Sequence, residues 1–402
     1  MTAIPRYRPH SGPAVLSAGF RPFFLLAGLW AALAVPLWLA LFAGQTQVPT
    51  AFSPTIWHVH EMVFGYGAAV VAGFLLTAIP NWTGRMPVQG RALAALALIW
   101  VTGRMAVLLS AVLGAESAAA LDLAFPLIFF AVVAREILAG RNWRNLPMLG
   151  ALVLLFLGNF FVHLDAVGIA SMAEFGNKLG VATLLMLISF VGGRIVPSFT
   201  RNWLAKQRPE IPAPASFGAI DRAVLAMIAL TLVVWLIAPE SLAAPWVELA
   251  GGLAVGVRLA RWRGQATLHE PLLWVLHLGY GWLALGLLLL AFTGFMPLLA
   301  QTTALHALTV GAIGTMTLAV MTRASLGHTG RPLVAGPGTT TIYVLVTLAA
   351  ILRLLAPLGG EHYLLMLSSA GAAWSGAFGL FILLYAAPLM RPRAKGEEAR
   401  TI

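Results

Sequence analysis

The sequence contains no cysteine, so disulfides, thiolate metal sites and iron–sulfur clusters are excluded together. Any metal must be held by histidine, methionine or oxygen. Charge is scarce as well: Asp, Glu, Lys and Arg make up 10% of the 402 residues, whereas 60% are hydrophobic, a balance that excludes an ordinary soluble protein. Spacers between the apolar stretches never exceed about 25 residues, which leaves no room for an extramembrane domain of ordinary size. Acids are the rarest class of charge, 14 against 25 bases for a net +11. In a soluble protein that excess would suggest nucleic acid. Here the placement of the bases decides, and nucleic acid is not an expected partner.

What the chain has in abundance is apolar sequence. Crossing about 30 Å of hydrocarbon takes roughly 20 residues as a helix, and such stretches recur at 19–43, 57–80, 91–114, 119–139, 146–166, 174–196, 221–238, 242–260, 271–293, 302–322, 339–356 and 363–389. The expected fold is an all-α membrane protein of about twelve transmembrane helices in one integral membrane domain over 1–402. The opening MTAIPRYRPH runs directly into a full-length span, so no cleaved signal peptide is expected.

The bases alternate in position. Arg6, Arg8 and Arg21 precede the first span; Arg85 and Arg91, Arg135, Arg141 and Arg144, then Arg194, Arg201, Lys206, Arg208 and Arg222 fill alternate connections. Arg258, Arg261 and Arg263, Arg323 and Arg331, and finally Arg391, Arg393, Lys395 and Arg400 continue the pattern. Translocating short cationic loops is unfavourable, so both termini are expected on the cytoplasmic side. His58, His60, His163, His306 and His362 then fall near the outer face, and His10, His269, His277 and His328 near the inner one. Arg104, Lys178 and Arg353 break the rule, lying within or at the outer half of the membrane. A charge at that depth needs a partner: either an acid such as Asp122, Asp165 or Glu174, or an anionic cofactor group.

An internal repeat is also visible. HEMVFGYGAAVVAGFLLTAIPNWTGR from His60 and HALTVGAIGTMTLAVMTRASLGHTGR from His306 align without a gap. Gly65 matches Gly311, and Thr83 matches Thr329. The sixth span joins the register if Asn177 replaces the histidine, with Ala182 at the small position and Thr200 at the end. The preceding spans begin beside Pro22, Pro147 and Pro271. The expected architecture is three pseudo-repeats of four helices, 19–139, 146–260 and 271–389.

In that register His60 and His306 are equivalent, on helices running the same way, an arrangement able to sandwich a planar macrocycle such as haem. His58 lies about 200° round the helix from His60 and cannot share an ion with it from one face. It would turn toward a neighbour such as His163, with Asn159 one turn below. Imidazoles without thiolate suit copper or another borderline metal. Interfacial hydrogen bonding is the plain alternative for each histidine. On the inner side His277 and His328 mark a second metal or quinone site, or ordinary turn chemistry.

The strings GFRPFFL at Gly19, WHVHEMVFGYGAAVVAGFLLTAIPNWTGR, GNKLGVATLLMLISFVGGRIVPSFTRNW, LHLGYGWLALG and HALTVGAIGTMTLAVMTRASLGHTGRP resemble the NnrS family over almost the whole chain. The resemblance implies a bacterial inner-membrane protein carrying haem and copper and linked to nitric oxide and nitrosative stress in denitrifying and other bacteria. The helix layout is also similar to the catalytic subunit of haem-copper oxidases and nitric oxide reductases. It departs from that pattern at Asn177, in the seventh span, which lacks a histidine pair, and in the tenth, which has one histidine. One haem b is therefore implied, on His60 and His306, with its propionates met by Arg104, Lys178 and Arg353 and copper near His58 and His163. The expected activity is binding of nitric oxide and its reduction or detoxification, as a nitric oxide reductase-like oxidoreductase fed by a quinol or another donor. A non-catalytic sensor or haem and copper store is the alternative, and a twelve-helix secondary transporter the third reading.

Overall fold

A computed structural model describes residues 11–296 and 298–394. Arg6, Arg8, Lys395 and Arg400, used above to orient the chain, and His10, placed by that orientation, lie outside the described residues. Among the described residues the fold is helical, with no strand. Each expected span is a long helix, and we number them α1 Phe20–Phe42, α2 Pro54–Thr83, α3 Gly90–Leu108, α4 Ala115–Ala139, α5 Leu146–Ala166 and α6 Ala173–Gln207. The series continues with α7 Ala219–Ile237, α8 Ala244–Ala260, α9 Pro271–Phe295, α10 Gln301–His328, α11 Pro337–Leu355 and α12 Tyr363–Met390.

Eleven of these regions are long and apolar enough to cross a membrane by length and composition. The chain is a multi-pass membrane protein. The expected eighth span is the exception: α8 has 17 residues and carries Glu248 and Arg258, so it lies at the short limit for crossing. Elsewhere helix and apolar stretch differ mainly at their ends. α6 runs on to Gln207, well beyond the apolar part, because GRIVPSFTRNWLAKQ is amphipathic and buries Val196, Thr200 and Leu204 on one side. Hydropathy locates the apolar part of a helix, not the point where its hydrogen bonding stops.

Local chemistry sets the helix ends. Pro54 opens α2 at a position where a missing N–H costs nothing, and Ser53 accepts from the Ile56 amide as cap. Gly84 closes α2 in the left-handed region, φ 70°, where a side chain would be strained. Three helices switch to π geometry in mid-course: α2 at Glu61–Gly67, α6 at Ile188–Gly192 and α10 at Ala307–Gly314. In α2 and α10 the switch starts on the residue after the aligned histidine. In α6 it comes eleven residues after Asn177, so there the alignment and the helix geometry part company.

The chain divides into two compact units, one of Met1–Thr183, Ala324–Arg331 and Phe381–Thr401, the other of Leu184–Arg323 and Pro332–Leu380. In the first, α1 packs on α2, and α4 packs on α2, α3 and α5. In the second, α8 packs on α7 and α9, and the π segment of α10 lies against α9 and α11. Large apolar side chains such as Leu33, Leu98, Val112, Leu365 and Leu383 face outward, as expected for surfaces solvated by lipid.

Within the first unit, buried Arg21 holds the end of α12: its Nη1 donates to the carbonyls of Leu389 and Arg391 at 2.8 and 2.7 Å, and to that of Pro388 at 3.3 Å. These are helix-end carbonyls that would otherwise lack donors. Arg21→Met should destabilise the detergent-solubilised protein by about 3 kcal/mol, the loss of charged hydrogen bonds to buried acceptors. A thermal-unfolding midpoint equal to that of the parent protein would show that the clamp contributes nothing.

Candidate metal centre

Four helices of the first unit bring six polar side chains to one place. α2 supplies His60 and Glu61, α3 Arg104, α4 Asp122, and α5 Asn159 and His163. All are at most 2% exposed, so none of the cluster is hydrated from outside. Adjacent residues on an α-helix point about 100° apart. The change to π winding at Glu61 coincides with the pair His60 and Glu61, which face the same cluster. His60 Nδ1 lies 3.0 Å from Glu61 Oε1. Asn159 and His163 are four apart on α5 and so share a face.

Small residues make room for the ions. A Cβ on Gly65 would stand 2.7 Å from Arg104 Nη1 and 2.9 Å from Glu61 Oε2; one on Gly103 would stand 2.7 Å from Asp122 Oδ1. Only glycine lets the guanidinium and the carboxylates approach the backbones this closely. Arg104 Nη1 then donates to both Glu61 oxygens at 2.9 Å, and its Nη2 to Asp122 Oδ1.

Hydrogen-bond directions follow from the donors. Asn159 Nδ2 donates to Asp122 Oδ2 at 2.8 Å, which leaves Asn159 Oδ1 to accept from His60 Nε2, also at 2.8 Å. His163 Nε2 lies 3.0 Å from Asp122 Oδ2, and His60 Nε2 lies 3.3 Å from the same oxygen. One ligating atom each from His60, Asp122 and His163 lies within 4.8 Å of the other two. Separations near 3 Å match the edges of a coordination shell with bonds of about 2.1 Å. The set fits a metal ion of borderline character: two imidazoles, a carboxylate and a neighbouring amide oxygen, without sulfur. Glu61 and Arg104 supply what such a set requires around it, a carboxylate fixing His60 and a cation fixing both acids. Phe52 and Phe64 wall the site, with ring centroids 5.5 Å from that of His60. His163 Nδ1 is enclosed and has no partner among the described residues.

The family model described as NnrS protein matches residues 14–393. The chain belongs to the NnrS family. No curated protein matches it.

In this NnrS chain the structure brings together only part of what the sequence singled out. His60 and His163 meet, their ring centroids 5.4 Å apart. His58 instead stacks on Trp38, centroids 4.1 Å apart and planes 20° from parallel. Arg104 is held by Glu61 and Asp122, and Lys178 by Glu174 at 2.7 Å across one helical turn. Arg353 is buried in the last turn of α11. His306, in the second unit, is half-buried and donates from Nδ1 to the Thr302 carbonyl at 2.7 Å. His277, in the second unit, bonds to Thr200, and His328, in the first, packs its ring on Phe20. None of Glu61, Asp122 and Asn159 stands out in the sequence as part of a metal site: Asp122 is offered there only as a partner for an outer cation, and Asn159 only as the residue one turn below His163. Their signal was present, since two of them are carboxylates inside apolar spans.

Asp122 is the joint of the cluster, touching Arg104, Asn159, His60 and His163. Asp122→Ala should destabilise the protein by about 3–5 kcal/mol, because it strands a buried guanidinium. Unchanged thermal stability and yield would mean that water reaches Arg104 and the site is open.

Proposed function

We propose that this NnrS protein is a membrane metalloprotein of the nitric oxide response in which His60, Asp122 and His163 hold a redox-active metal that binds nitric oxide. Family membership supports the tie to nitric oxide. The observation that carries the metal is the convergence of three ligating atoms, from three helices, at a fully buried point. A bound metal of this kind supplies an open coordination position and a redox couple. The chain supplies the rest. Glu61 accepts a hydrogen bond from His60 Nδ1 and holds the ring so that Nε2 faces the site, where the proton that Nε2 otherwise donates to Asn159 would give way to a bound metal; Arg104 donates to both carboxylates, and the Phe52 and Phe64 rings exclude water. An uncharged diatomic gas enters such an apolar surround far more readily than an anion does.

The reading extends to haem b on His306. A carbonyl can only accept, so the bond to Thr302 places a proton on Nδ1 and leaves Nε2 as the nitrogen able to ligate a metal, the arrangement found in ligating histidines. It leaves His60 to the non-haem metal, copper being the member of the borderline class that the family resemblance names, whereas the repeat alone would give His60 to iron. Termini in the cytoplasm, α8 as a twelfth span, three pseudo-repeats, a bacterial inner-membrane location and electrons from a quinol belong to the same proposal. The π segments that begin one residue after His60 and one residue after His306 support the repeat.

The test is metal analysis with optical and electron paramagnetic resonance spectra of purified protein, before and after anaerobic nitric oxide. His60→Ala and His163→Ala should lose the non-haem metal and its nitric oxide-dependent signal, and His306→Ala should lose the haem band. Loss of haem from His60→Ala as well as His306→Ala would return His60 to iron. A preparation with no metal would end the reading.

A second reading, binding without turnover, is favoured by one observation: Glu61, Asp122 and Asn159 are all engaged by other side chains, so that neither carboxylate nor the amide of the cluster is free to pass a proton to the metal. Sustained nitric oxide consumption with a quinol donor supports reduction, and uptake that stops at one equivalent supports a sensor or store. Glu61→Gln should weaken metal retention against a chelator by about 10–100-fold, the usual effect of removing a carboxylate behind a ligating histidine. Equal retention would show that Glu61 does not set the ring.

A further inference from the structure

Four arginines are buried among the described residues: Arg21, Arg104, Arg258 and Arg353. Three are matched by the protein. Arg21 has the carbonyls at the end of α12, and Arg104 has Glu61 and Asp122. Arg258 has Asp221 Oδ1 at 2.9 Å, the Ser189 carbonyl at 3.0 Å and the Tyr280 hydroxyl at 3.0 Å.

Arg353 is different. It is 8% exposed, and its Nε and Nη1 are enclosed without a hydrogen-bond partner among the described residues, which leaves the N–H donors of both nitrogens unused. It makes no ion pair there. Glu361, eight residues further on, is exposed and is in no ion pair among the described residues. A cation in the last turn of a helix gains about 0.3–1 kcal/mol from the helix dipole. An unpaired buried charge costs several kcal/mol, so the dipole alone does not account for it.

We propose that Arg353 receives an anionic oxygen group, a carboxylate or a phosphate, of a molecule bound to the second unit. A guanidinium is the side chain best suited to such a group, because it stays charged and offers planar N–H donors. α11 packs against the first turns of α10, which end at His306. Two sources share this chemistry. One is a propionate of the haem assigned above to His306, which rests on that reading; the other is the headgroup of an anionic lipid, which does not.

The experiment compares the purified parent protein with Arg353→Gln and Glu361→Gln. It measures haem per chain from the reduced pyridine spectrum and retained anionic lipid by mass spectrometry after detergent washing. Metal retained at His60, Asp122 and His163 reports that each variant is folded. Arg353→Gln should lower one of the two ratios about tenfold or more, the effect of a charge-assisted hydrogen bond, while Glu361→Gln changes neither. Loss of haem identifies the carboxylate, and loss of lipid the phosphate. If the parent protein has no haem, the haem reading fails and the lipid ratio still decides. Equal ratios in all three proteins, or the same loss with Glu361→Gln, overturns the proposal. Should Arg353→Gln not fold, phenylglyoxal labelling of the parent protein decides instead. Arg353 should react only after haem and lipid are stripped, and identical labelling before and after stripping refutes it.

Discussion

A charge enclosed where there is no water must meet an opposite charge or a set of dipoles, and this constraint shapes the first unit. Arg104 satisfies it by holding Glu61 and Asp122 at once. Because those acids come from α2 and α4 and the guanidinium from α3, one cation fixes three helices. The two histidines and Asn159 attach to the same acids, so the ligating atoms are positioned by the interaction that makes the cluster tolerable in a membrane. Gly65 and Gly103 complete the arrangement by yielding the space where the ions meet.

That constraint explains why His60 and Glu61 stand together in TIWHVHEMVFGYG. A regular helix would send adjacent side chains in different directions. In α2 the winding loosens to π geometry from Glu61, a change associated with functional positions in helices. Both residues reach the same cluster, one toward Asn159 and the other toward Arg104. His58, two residues earlier, is spent on Trp38.

The helices were legible in the sequence because they answer to a one-dimensional signal, apolar length. Even α8, short as it is, was visible, and α6 was misjudged only where it leaves the apolar region. The site was legible in part. His60 and His163 stood out as rare imidazoles in apolar surroundings, and Asp122 was recognised as an acid able to meet Arg104. What the sequence could not give was the pairing: that Asp122 rather than His58 stands beside His163, and that Glu61 is shared between a histidine and an arginine. Those contacts depend on which faces of α2, α3, α4 and α5 turn toward one another, and helices that are apolar all round carry no periodic signal of that rotation. Lys178 illustrates the same limit. Its partner Glu174 was one turn away in the sequence, yet only the packing distinguishes that pair from the unmatched Arg353.

The most direct measurement is X-ray absorption at the edge of whichever metal copurifies with the chain. The account expects a non-haem first shell of nitrogen and oxygen at about 2.0–2.2 Å, with the outer-shell scattering of two imidazoles. A shell containing sulfur, or one with imidazole scattering that survives replacement of both His60 and His163, would contradict it.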